Sequence, residues 1–300
     1  MDFLTVYYFT AFGFCLLYFL LISKYSYAWS QIKTFSVDPF NIPEIMATVI
    51  IPARNEEKNI LNCLEHLANQ DYPKSYFEIL VIDDNSTDMT VEQCINFFSS
   101  HPELNGKDLK TGEQGTGKKR AITLGVKEAM GDLILTTDAD CTFGNSWLKT
   151  IIGYYYIYRP KMIAAPVLLK TGPSIFQKIQ SLEFAGLIAV GGAAVKRRKP
   201  IMCNGANLCF EKEAFISVSG YNSSCDILSG DDIFLMNAIH KKYPGEVRFL
   251  KADEAVVFAN APSTFTGFIN QRMRWVSKVR FIPDFNTISV GVIVYALNFS

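Results

Sequence analysis

Short apolar segments alternate with amphipathic helical segments along the middle of the chain, and this alternation is the strongest constraint on the fold. Apolar runs at 48–51, 79–82 and 133–135 predict strands, and the residues between them have helical spacing. Strands that alternate with helices indicate an α/β fold with a parallel sheet, in which ligands bind beyond the carboxyl ends of the strands. Two pairs of aspartates follow such ends, which predicts a site there: Asp83 and Asp84 in "VIDDNSTD", and Asp138 and Asp140 in "TTDADC".

The two pairs differ in what they indicate on their own. Asp138 and Asp140 stand one residue apart, and two neighbouring carboxylates repel each other unless a cation or a proton joins them. Mg²⁺ or Mn²⁺ prefers one or two carboxylates together with phosphate oxygens, so this pair predicts a divalent metal site. For the segment "DDNSTD", a helix N-cap with solvated acids fits equally well.

The first segment of the chain is of a different kind. Residues 3–22, "FLTVYYFTAFGFCLLYFLLI", carry no charge, and about 20 such residues form a helix as long as a bilayer core is thick. A signal peptide has a basic start and a shorter apolar stretch. We therefore expect a transmembrane anchor over 1–24 and a linker over 25–45, with a buried soluble helix as the alternative.

The last segment, "TISVGVIVYALNFS" at 287–300, is apolar but too short to span a bilayer. Either it packs against the domain, or a second transmembrane helix starts within 286–300. Basic residues just before it favour the second interpretation, because such residues flank the cytoplasmic ends of spans: Arg272, Arg274, Lys278 and Arg280. We therefore expect the intervening domain on the cytoplasmic face of the inner (plasma) membrane.

Composition limits the partners. Lysine plus arginine and aspartate plus glutamate number 29 each, so the formal net charge is zero, whereas nucleic acid binding needs a basic excess. We expect no nucleic acid partner. The seven cysteines include no C-x-x-C pair, which indicates reduced thiols in a cytosolic domain rather than a disulfide framework or a zinc site.

Two segments resemble phosphate-handling motifs of other folds. "GEQGTGKK" at 112–119 approaches the P-loop pattern, but Lys119 replaces the hydroxyl that binds magnesium, and no apolar strand precedes it. We reject a P-loop and keep Lys118 as a candidate phosphate ligand. "DADCT" matches the D-x-D-x-T motif of haloacid-dehalogenase-type phosphatases, in which Asp138 would be the nucleophile. That motif normally opens its fold, whereas two strand–helix units precede it here, so the phosphatase is only the alternative.

The later half supplies further motifs in order. After "VIIPARNEE", "VIDDNSTD" and "TTDAD" come "SGDD" at 229–232 and "QRMRW" at 271–275. Together the five segments resemble the membrane-bound family 2 glycosyltransferases with the GT-A fold, over about residues 46–285. Q-x-x-R-W is the most specific of them and also marks cellulose-, chitin- and hyaluronan-synthase-like members. The resemblance implies a Rossmann-like mixed sheet, with a nucleotide-sugar half (46–141), an acceptor and catalytic half (142–262), and an amphipathic helix bearing Q-x-x-R-W (263–285).

The resemblance also implies roles for single residues. Asp84 would contact the nucleotide base with Asp83 beside it, and Asp140 would be the more direct metal ligand of the Asp138 and Asp140 pair. Asp232 matches the general base, and Asp231 stands where the family often has Glu. The remaining members of the implied donor site are Pro52, Arg54, Glu56, Lys118, Gln271, Arg274 and Trp275, of which the last three also line the acceptor entrance.

The implied reaction fits these residue types. A metal and a nearby arginine stabilise the negative charge on a departing nucleotide diphosphate, and a carboxylate takes the proton of the acceptor hydroxyl. One direct displacement inverts the anomeric centre. The donor is then a nucleotide-diphosphate sugar, with UDP favoured, and the acceptor is lipid-linked, a saccharide or a polymer. A catalytically inactive nucleotide-sugar sensor is a further alternative.

The segment "SIFQKIQSLEFAGLIAVGGAAVKRRK" at 174–199 combines an apolar stripe with four consecutive cations at its end. This composition is typical of an interfacial helix whose charges lie at lipid headgroups, and we expect one over about 174–195. A buried helix beside the acceptor site is the alternative. An interfacial helix would place the site against the membrane, where a lipid-linked or polymeric acceptor is natural.

Overall fold

The computed structural model describes residues 3–38, 43–112, 117–220 and 231–279. Its helices are α1 (Phe3–Ser30), α2 (Ile60–Ala68), α3 (Thr90–Ser100), α4 (Lys118–Glu128), α5 (Trp147–Tyr158), α6 (Ile175–Lys196), α7 (Lys212–Ser217), α8 (Asp231–Lys242) and α9 (Phe265–Val279). Its strands are β1 (Ala47–Ala53), β2 (Phe77–Asp83), β3 (Asn105–Lys110), β4 (Leu133–Thr136), β5 (Thr142–Phe143), β6 (Met162–Ala164), β7 (Val167–Leu169), β8 (Leu208–Glu211), β9 (Val247–Phe249) and β10 (Val257–Ala259).

The main sheet is mixed. Within the described residues its strand order is β3-β2-β1-β4-β8-β6-β9, and the first four strands in this order are parallel. β8 runs antiparallel to both β4 and β6, and β9 is parallel to β6. A small second sheet has the order β5-β10-β7. The α/β fold predicted from the alternating segments is confirmed, and so is the mixed sheet.

Both faces of β1 are covered, which explains its continuous apolar sequence. Val49 and Ile51 belong to a core that includes α2, whereas Ile50 points into a second core that includes α4. Strands buried on both faces lose the alternation of apolar and polar residues and become uniformly apolar. The predicted runs at 48–51 and 79–82 lie inside β1 and β2.

The polar segment "NGKDLK" forms a strand, β3, although the sequence analysis found no apolar strand in front of residue 112. Within the part of the chain that is described, β3 lies at the edge of the main sheet and pairs with β2 alone. An edge strand needs few apolar residues, because charged side chains there protect its open edge from pairing with other chains. Its pairing with β2 therefore specifies this strand more than its composition does.

Among the residues that the structure describes, two helices are long and apolar enough to cross a membrane by length and composition, over Tyr7–Ser30 and Ile175–Lys196. α1 exposes large apolar residues along much of its length, and its last turns pack Tyr25 and Ala28 against Ala193 and Ala194 of α6. This helix continues through residues 25–30, which the sequence analysis assigned to the linker. The predicted second transmembrane segment over 286–300 lies outside the described residues.

Candidate functional site

The loops after β1 and β2 lock together at the carboxyl end of the sheet. The amide of Asn55 donates to Ser86 Oγ over 2.9 Å, and the amide of Thr87 donates to Asn55 Oδ1 over 2.9 Å. Asn55 and Asn85 both adopt left-handed backbone conformations, with φ of 57° and 61°, which asparagine tolerates better than most residues. Residues 53–56 and 83–87 thus form one rigid platform.

Asp83 and Asp84 are buried within this platform, with exposures of 2% and 5%. Asp83 Oδ1 accepts from the amide of Ser86 over 3.1 Å, which stabilises the turn after β2. Asp84 Oδ2 accepts from the amide of Gly117 over 2.8 Å, and Asp84 Oδ1 accepts from Thr111 Oγ1 over 3.2 Å. Asp84 therefore holds the segment that leads into α4 against the sheet edge.

Two residues of the segment "VIIPARNEE" lie beside these acids. Pro52 is opposite Ile82 in the β1–β2 pairing. Arg54 Nη1 is 3.9 Å from Asp84 Oδ2, and the Arg54 side chain is 53% exposed. An exposed guanidinium beside a buried carboxylate remains accessible to a phosphate from solvent.

Asp138 and Asp140 follow β4 and lie near Glu56. The carbonyl oxygen of Asp138 accepts from the amide of Cys141 over 3.1 Å, which forms a tight turn around Asp140. Burial, followed by the charge of Asp138, raises the pKa of Asp140 above its ordinary value. Burial and the charges of Asp140 and Asp138 also raise the pKa of Glu56, against a hydrogen bond from Asn59 that lowers it. The three carboxylates are therefore close enough to repel one another.

This donor set fits a divalent cation. A cation would relieve the repulsion between Asp138 and Asp140, and oxygen ligands are those that Mg²⁺ and Mn²⁺ prefer. Within the described residues, no group of three His, Cys, Asp or Glu side chains is placed to hold a metal. Two carboxylates completed by phosphate oxygens of a ligand would make such a site, and Asp138 and Asp140 are the residues that would supply them.

Lys118 lies between this pair and Asp232. Its ammonium forms an ion pair with Asp138 Oδ1, and the two side chains are 39% and 36% exposed. A Cβ atom on Gly205 would lie 3.3 Å from Lys118 Nζ and 3.6 Å from Asp232 Oδ2, so both groups border the same glycine. Burial by itself lowers the pKa of Lys118, but the charge and hydrogen bond of Asp138 and the charge of Asp232 raise it above the ordinary value.

Asp232 is held in place by backbone amides. Its Oδ2 accepts from the amide of Gly205 over 2.9 Å, and its Oδ1 accepts from the amide of Ile233 over 3.0 Å. The Gly205 carbonyl in turn accepts from Thr136 Oγ1 over 2.8 Å, which ties this turn to the end of β4. Asp231 begins α8, but its side chain lies outside the described residues, as do Ser229 and Gly230 of "SGDD".

The Q-x-x-R-W helix, α9, packs against α6. The Trp275 ring lies 5.6 Å from Phe184 between centroids, and Arg272 stacks 4.4 Å over Trp275 while pairing with Glu183. Gln271 lines a pocket of about 410 Å³ together with Pro262, Gly267 and Asn270. Among the contacts described for Gln271 and Trp275, none reaches the carboxylates, and the side chain of Arg274 lies outside the described residues.

The structure thus brings most of the predicted site residues to one edge of the sheet: Arg54, Glu56, Asp83, Asp84, Lys118, Asp138, Asp140 and Asp232. Sequence reasoning missed Thr111 and the Gly117 amide as partners of Asp84, and Asn59 as the partner of Glu56. The local patterns around Thr111 and Gly117 carry no signal for these contacts, because the partners are far away in the chain.

A family model matches the part of the chain that carries all of these residues except Asp232. The model of glycosyl transferase family 2 matches residues 48–216, more than half of the chain. The chain belongs to this family. Membership argues against the haloacid-dehalogenase alternative, and Asp138 follows β4, after three other parallel strands, instead of opening the fold.

Family 2 relatives are matched over part of their length. The chain is 26% identical over 273 residues to the poly-beta-1,6-N-acetyl-D-glucosamine synthase of Staphylococcus aureus. The matched region covers 86% of this chain and 61% of that protein. It is 39% identical over 102 residues to the S. aureus poly(ribitol-phosphate) beta-N-acetylglucosaminyltransferase TarS, which covers 34% of this chain and 17% of that protein. The chain therefore spans less than two thirds of the length of either relative.

Solved structures share the fold. The mannosyltransferase PcManGT from Pyrobaculum calidifontis, in complex with GDP-Man and Mn²⁺, superposes with a TM-score of 0.68 at 22% identity, over 92% of this chain and 73% of that chain. S. aureus TarS 1-349 in complex with UDP-GlcNAc has a TM-score of 0.53 at 21% identity, over 75% of this chain and 61% of that chain. At such identities the likeness shows the fold alone, and a GT-A-like mixed α/β fold is confirmed.

Proposed function

We propose that the chain is an inverting glycosyltransferase that moves a sugar from a nucleotide-diphosphate sugar, with UDP favoured, to a lipid-linked, saccharide or polymer acceptor. One observation carries the proposal: Lys118 lies between the acids Asp138 and Asp140 and the carboxylate of Asp232. Two carboxylates suited to a cation and a third carboxylate that can accept a proton thus share one sheet edge. The relatives add support, since their names describe transfer or polymerisation of N-acetylglucosamine.

The donor would lie across the ends of β1, β2 and β4. Asp84, with Asp83 beside it, would contact the nucleotide base, and Pro52, Arg54 and Glu56 border the same edge. Asp138 and Asp140 would hold Mg²⁺ or Mn²⁺ together with the diphosphate. When bound, the metal stabilises negative charge on the leaving diphosphate, and Arg54 can add a second positive charge there.

Asp232 would accept the proton of the acceptor hydroxyl. As that oxygen bonds to sugar C1, the bond from C1 to the diphosphate oxygen breaks, and the proton passes to a carboxylate oxygen of Asp232. Its two amide contacts fix the carboxylate in one orientation before the acceptor arrives. Attack from the face opposite the diphosphate gives inversion, and Asp231 would help to orient the site.

The acceptor would approach from the side of α6 and α9. Gln271, Arg274 and Trp275 are proposed to line its entrance. α6 packs against α9 through Phe184 and Trp275 and exposes Ile175, Ile179 and Leu182, which gives it an apolar surface. With α1 as the anchor, the site would face lipid at the cytoplasmic surface of the membrane.

A panel of nucleotide sugars tests the proposal. The full chain is incubated with each sugar nucleotide and Mg²⁺ or Mn²⁺, with membrane lipid extract as the acceptor source, and the released nucleotide diphosphate is measured. We expect release with one class of donor, most strongly with a UDP-sugar. Donor binding without any release would favour the inactive sensor, whereas hydrolysis of p-nitrophenyl phosphate through Asp138 would favour the phosphatase.

A further inference from the structure

We propose that Lys118 is the resident counter-ion of the metal pair, holding Asp138 in the absence of donor and giving it up when a nucleotide diphosphate arrives with its metal. This inference rests on the proposed function. Lys118 would then act on metal binding as a competitor, in addition to any contact it makes with the donor. The site would therefore bind a free divalent ion weakly and a metal–nucleotide complex well.

The ion pair itself is the first support. Lys118 Nζ contacts Asp138 Oδ1, one of the carboxylate oxygens that a metal would need. An ammonium and a divalent cation cannot share that oxygen, because the two positive charges repel each other strongly at contact distance. Both side chains are more than a third exposed, so the exchange requires no opening of the core.

The end of the Lys118 side chain lies beside a residue without a side chain. Gly205 has no side chain, and the space above it is bordered by Lys118 Nζ and Asp232 Oδ2. Lysine is a compact point charge on a flexible stem of four carbons, so its ammonium can swing a few ångströms without backbone movement. Diphosphate oxygens placed beside Asp138 would offer the ammonium a stronger partner than a single carboxylate.

The backbone that carries Lys118 is tied to the predicted base-binding acid. The amide of Gly117 donates to Asp84 Oδ2 over 2.8 Å. Gly117 has a φ of 133°, a conformation that residues with a side chain rarely adopt. A nucleotide base that forms a hydrogen bond with Asp84 would compete with the amide of Gly117. Nucleotide binding at Asp84 would therefore loosen the contact that holds the start of α4, where Lys118 lies.

Removing the ammonium of Lys118 should therefore increase the affinity of the protein for a divalent cation without nucleotide. Lys118→Met should bind Mn²⁺ without nucleotide about fivefold more tightly than the wild type, because the competing ion pair is gone. UDP should strengthen Mn²⁺ binding less in this variant than in the wild type, since part of the wild-type effect is displacement of the lysine. A lysine that only contacts phosphate would leave the affinity for Mn²⁺ alone unchanged.

The experiment titrates the full chain in detergent with MnCl₂, with and without UDP, and measures free Mn²⁺ by electron paramagnetic resonance. Lys118→Gln serves as a second variant in case the methionine impairs folding, and thermal melting checks both. Lys127→Met is the matched control, because it removes the same charge from the exposed last turn of the same helix. Its Mn²⁺ affinity should equal that of the wild type.

The outcomes separate this inference from the proposed function. Tighter binding of Mn²⁺ alone in both Lys118 variants, with a smaller effect of UDP, supports the counter-ion role. Equal affinities in wild type and variants overturn that role and leave the metal-dependent donor site intact. An equal gain in Lys127→Met also overturns it, because the effect would then be one of net charge. Absence of Mn²⁺ binding in every protein, even with UDP, overturns the metal site and the inference together.

Discussion

The amide of Gly205 donates a hydrogen bond to Asp232 Oδ2 over 2.9 Å, which joins the turn before β8 to the start of α8. The two segments are separated by α7 and by residues 221–230. A Cβ on Gly205 would lie 3.5 Å from Asp232 Cβ and 3.3 Å from Lys118 Nζ. The glycine therefore allows two charged groups to approach a backbone that also orients one of them.

Gly205→Ala should impair catalysis more than folding. The new methyl group would lie 3.3 Å from Lys118 Nζ, which is close enough to displace the lysine end, whereas its contact with Asp232 is an ordinary one. We expect turnover to fall about tenfold because the lysine charge is displaced from the acids and from the proposed diphosphate site. Gly144→Ala is the control, since a Cβ there meets no atom within 4 Å. Steady-state rates and melting temperatures of both variants decide the matter. A loss of stability that matches the loss of activity would contradict the positional role of Gly205.

Asp140→Ala should abolish donor binding that depends on metal. Without Asp140 the cation keeps a single protein carboxylate, so calorimetry with UDP and Mn²⁺ should show no metal-dependent heat. Asp132→Ala removes an exposed acid at the opposite end of β4 and should bind as the wild type does. Unchanged binding in Asp140→Ala would place the metal elsewhere.

Asp108 on β3 should make stability depend on pH. Burial and the charge of Asp83 raise the pKa of Asp108 to about 6, against the effect of Lys110. Because the folded-state pKa lies above the unfolded one, ionised Asp108 destabilises the fold above pH 6, and this penalty disappears as the pH falls below about 4. Asp108→Asn should therefore stabilise the protein at pH 7.5 by on the order of 1 kcal/mol, with a gain that vanishes near pH 4. Chemical denaturation at the two pH values measures it, and an equal gain at both would contradict the assignment.

The proposed role of α1 as a membrane anchor, and its orientation, can be tested by labelling in intact cells. A cysteine introduced ahead of Phe3 should react with a membrane-impermeant maleimide from outside, whereas a cysteine in place of exposed Lys107 should be protected until the cells are lysed. The expected topology follows from the basic residues after the first apolar segment. The reverse pattern would place the nucleotide site away from the cytoplasmic pool of nucleotides.

The sequence predicted the parts of the fold whose signal is local. β1, β2 and β4 are apolar runs buried on both faces, and a run of this kind is visible without any knowledge of tertiary structure. β3 is polar because it lies at an edge, and only its pairing with β2 makes it a strand. The antiparallel strand β8 depends on chain reversals that no periodicity indicates.

Some residues of the candidate site could likewise be predicted from local sequence, and some of its contacts could not. Asp83, Asp84, Asp138 and Asp140 could be found because strand ends meet at one edge of a parallel sheet. The contact of Lys118 with Asp138 and the approach of Asp232 to Gly205 were not predicted, since each joins segments that only tertiary packing brings together. The sequence analysis expected Lys118 to reach a phosphate, whereas the structure pairs it with a carboxylate.

The carboxylates at this sheet edge are proposed to have separate tasks, with Asp138 and Asp140 holding the donor's metal and Asp232 taking the proton. Asp232→Asn is the variant that tests this division of tasks, because asparagine keeps the size of the side chain and one of the two oxygens that accept backbone amides, but it cannot accept the proton. Asp231→Asn is the neighbouring comparison, and it should be milder because Asp231 is expected only to orient the site.

The measurement compares turnover and donor affinity of Asp232→Asn with those of the wild type, using the sugar nucleotide selected from the panel. We predict a fall in turnover of about 10² to 10⁴, as expected for loss of a general base, with the affinity for UDP and Mn²⁺ unchanged. Near-normal turnover would contradict the role of Asp232 as the proton acceptor, and so would a loss of donor binding as complete as that of Asp140→Ala.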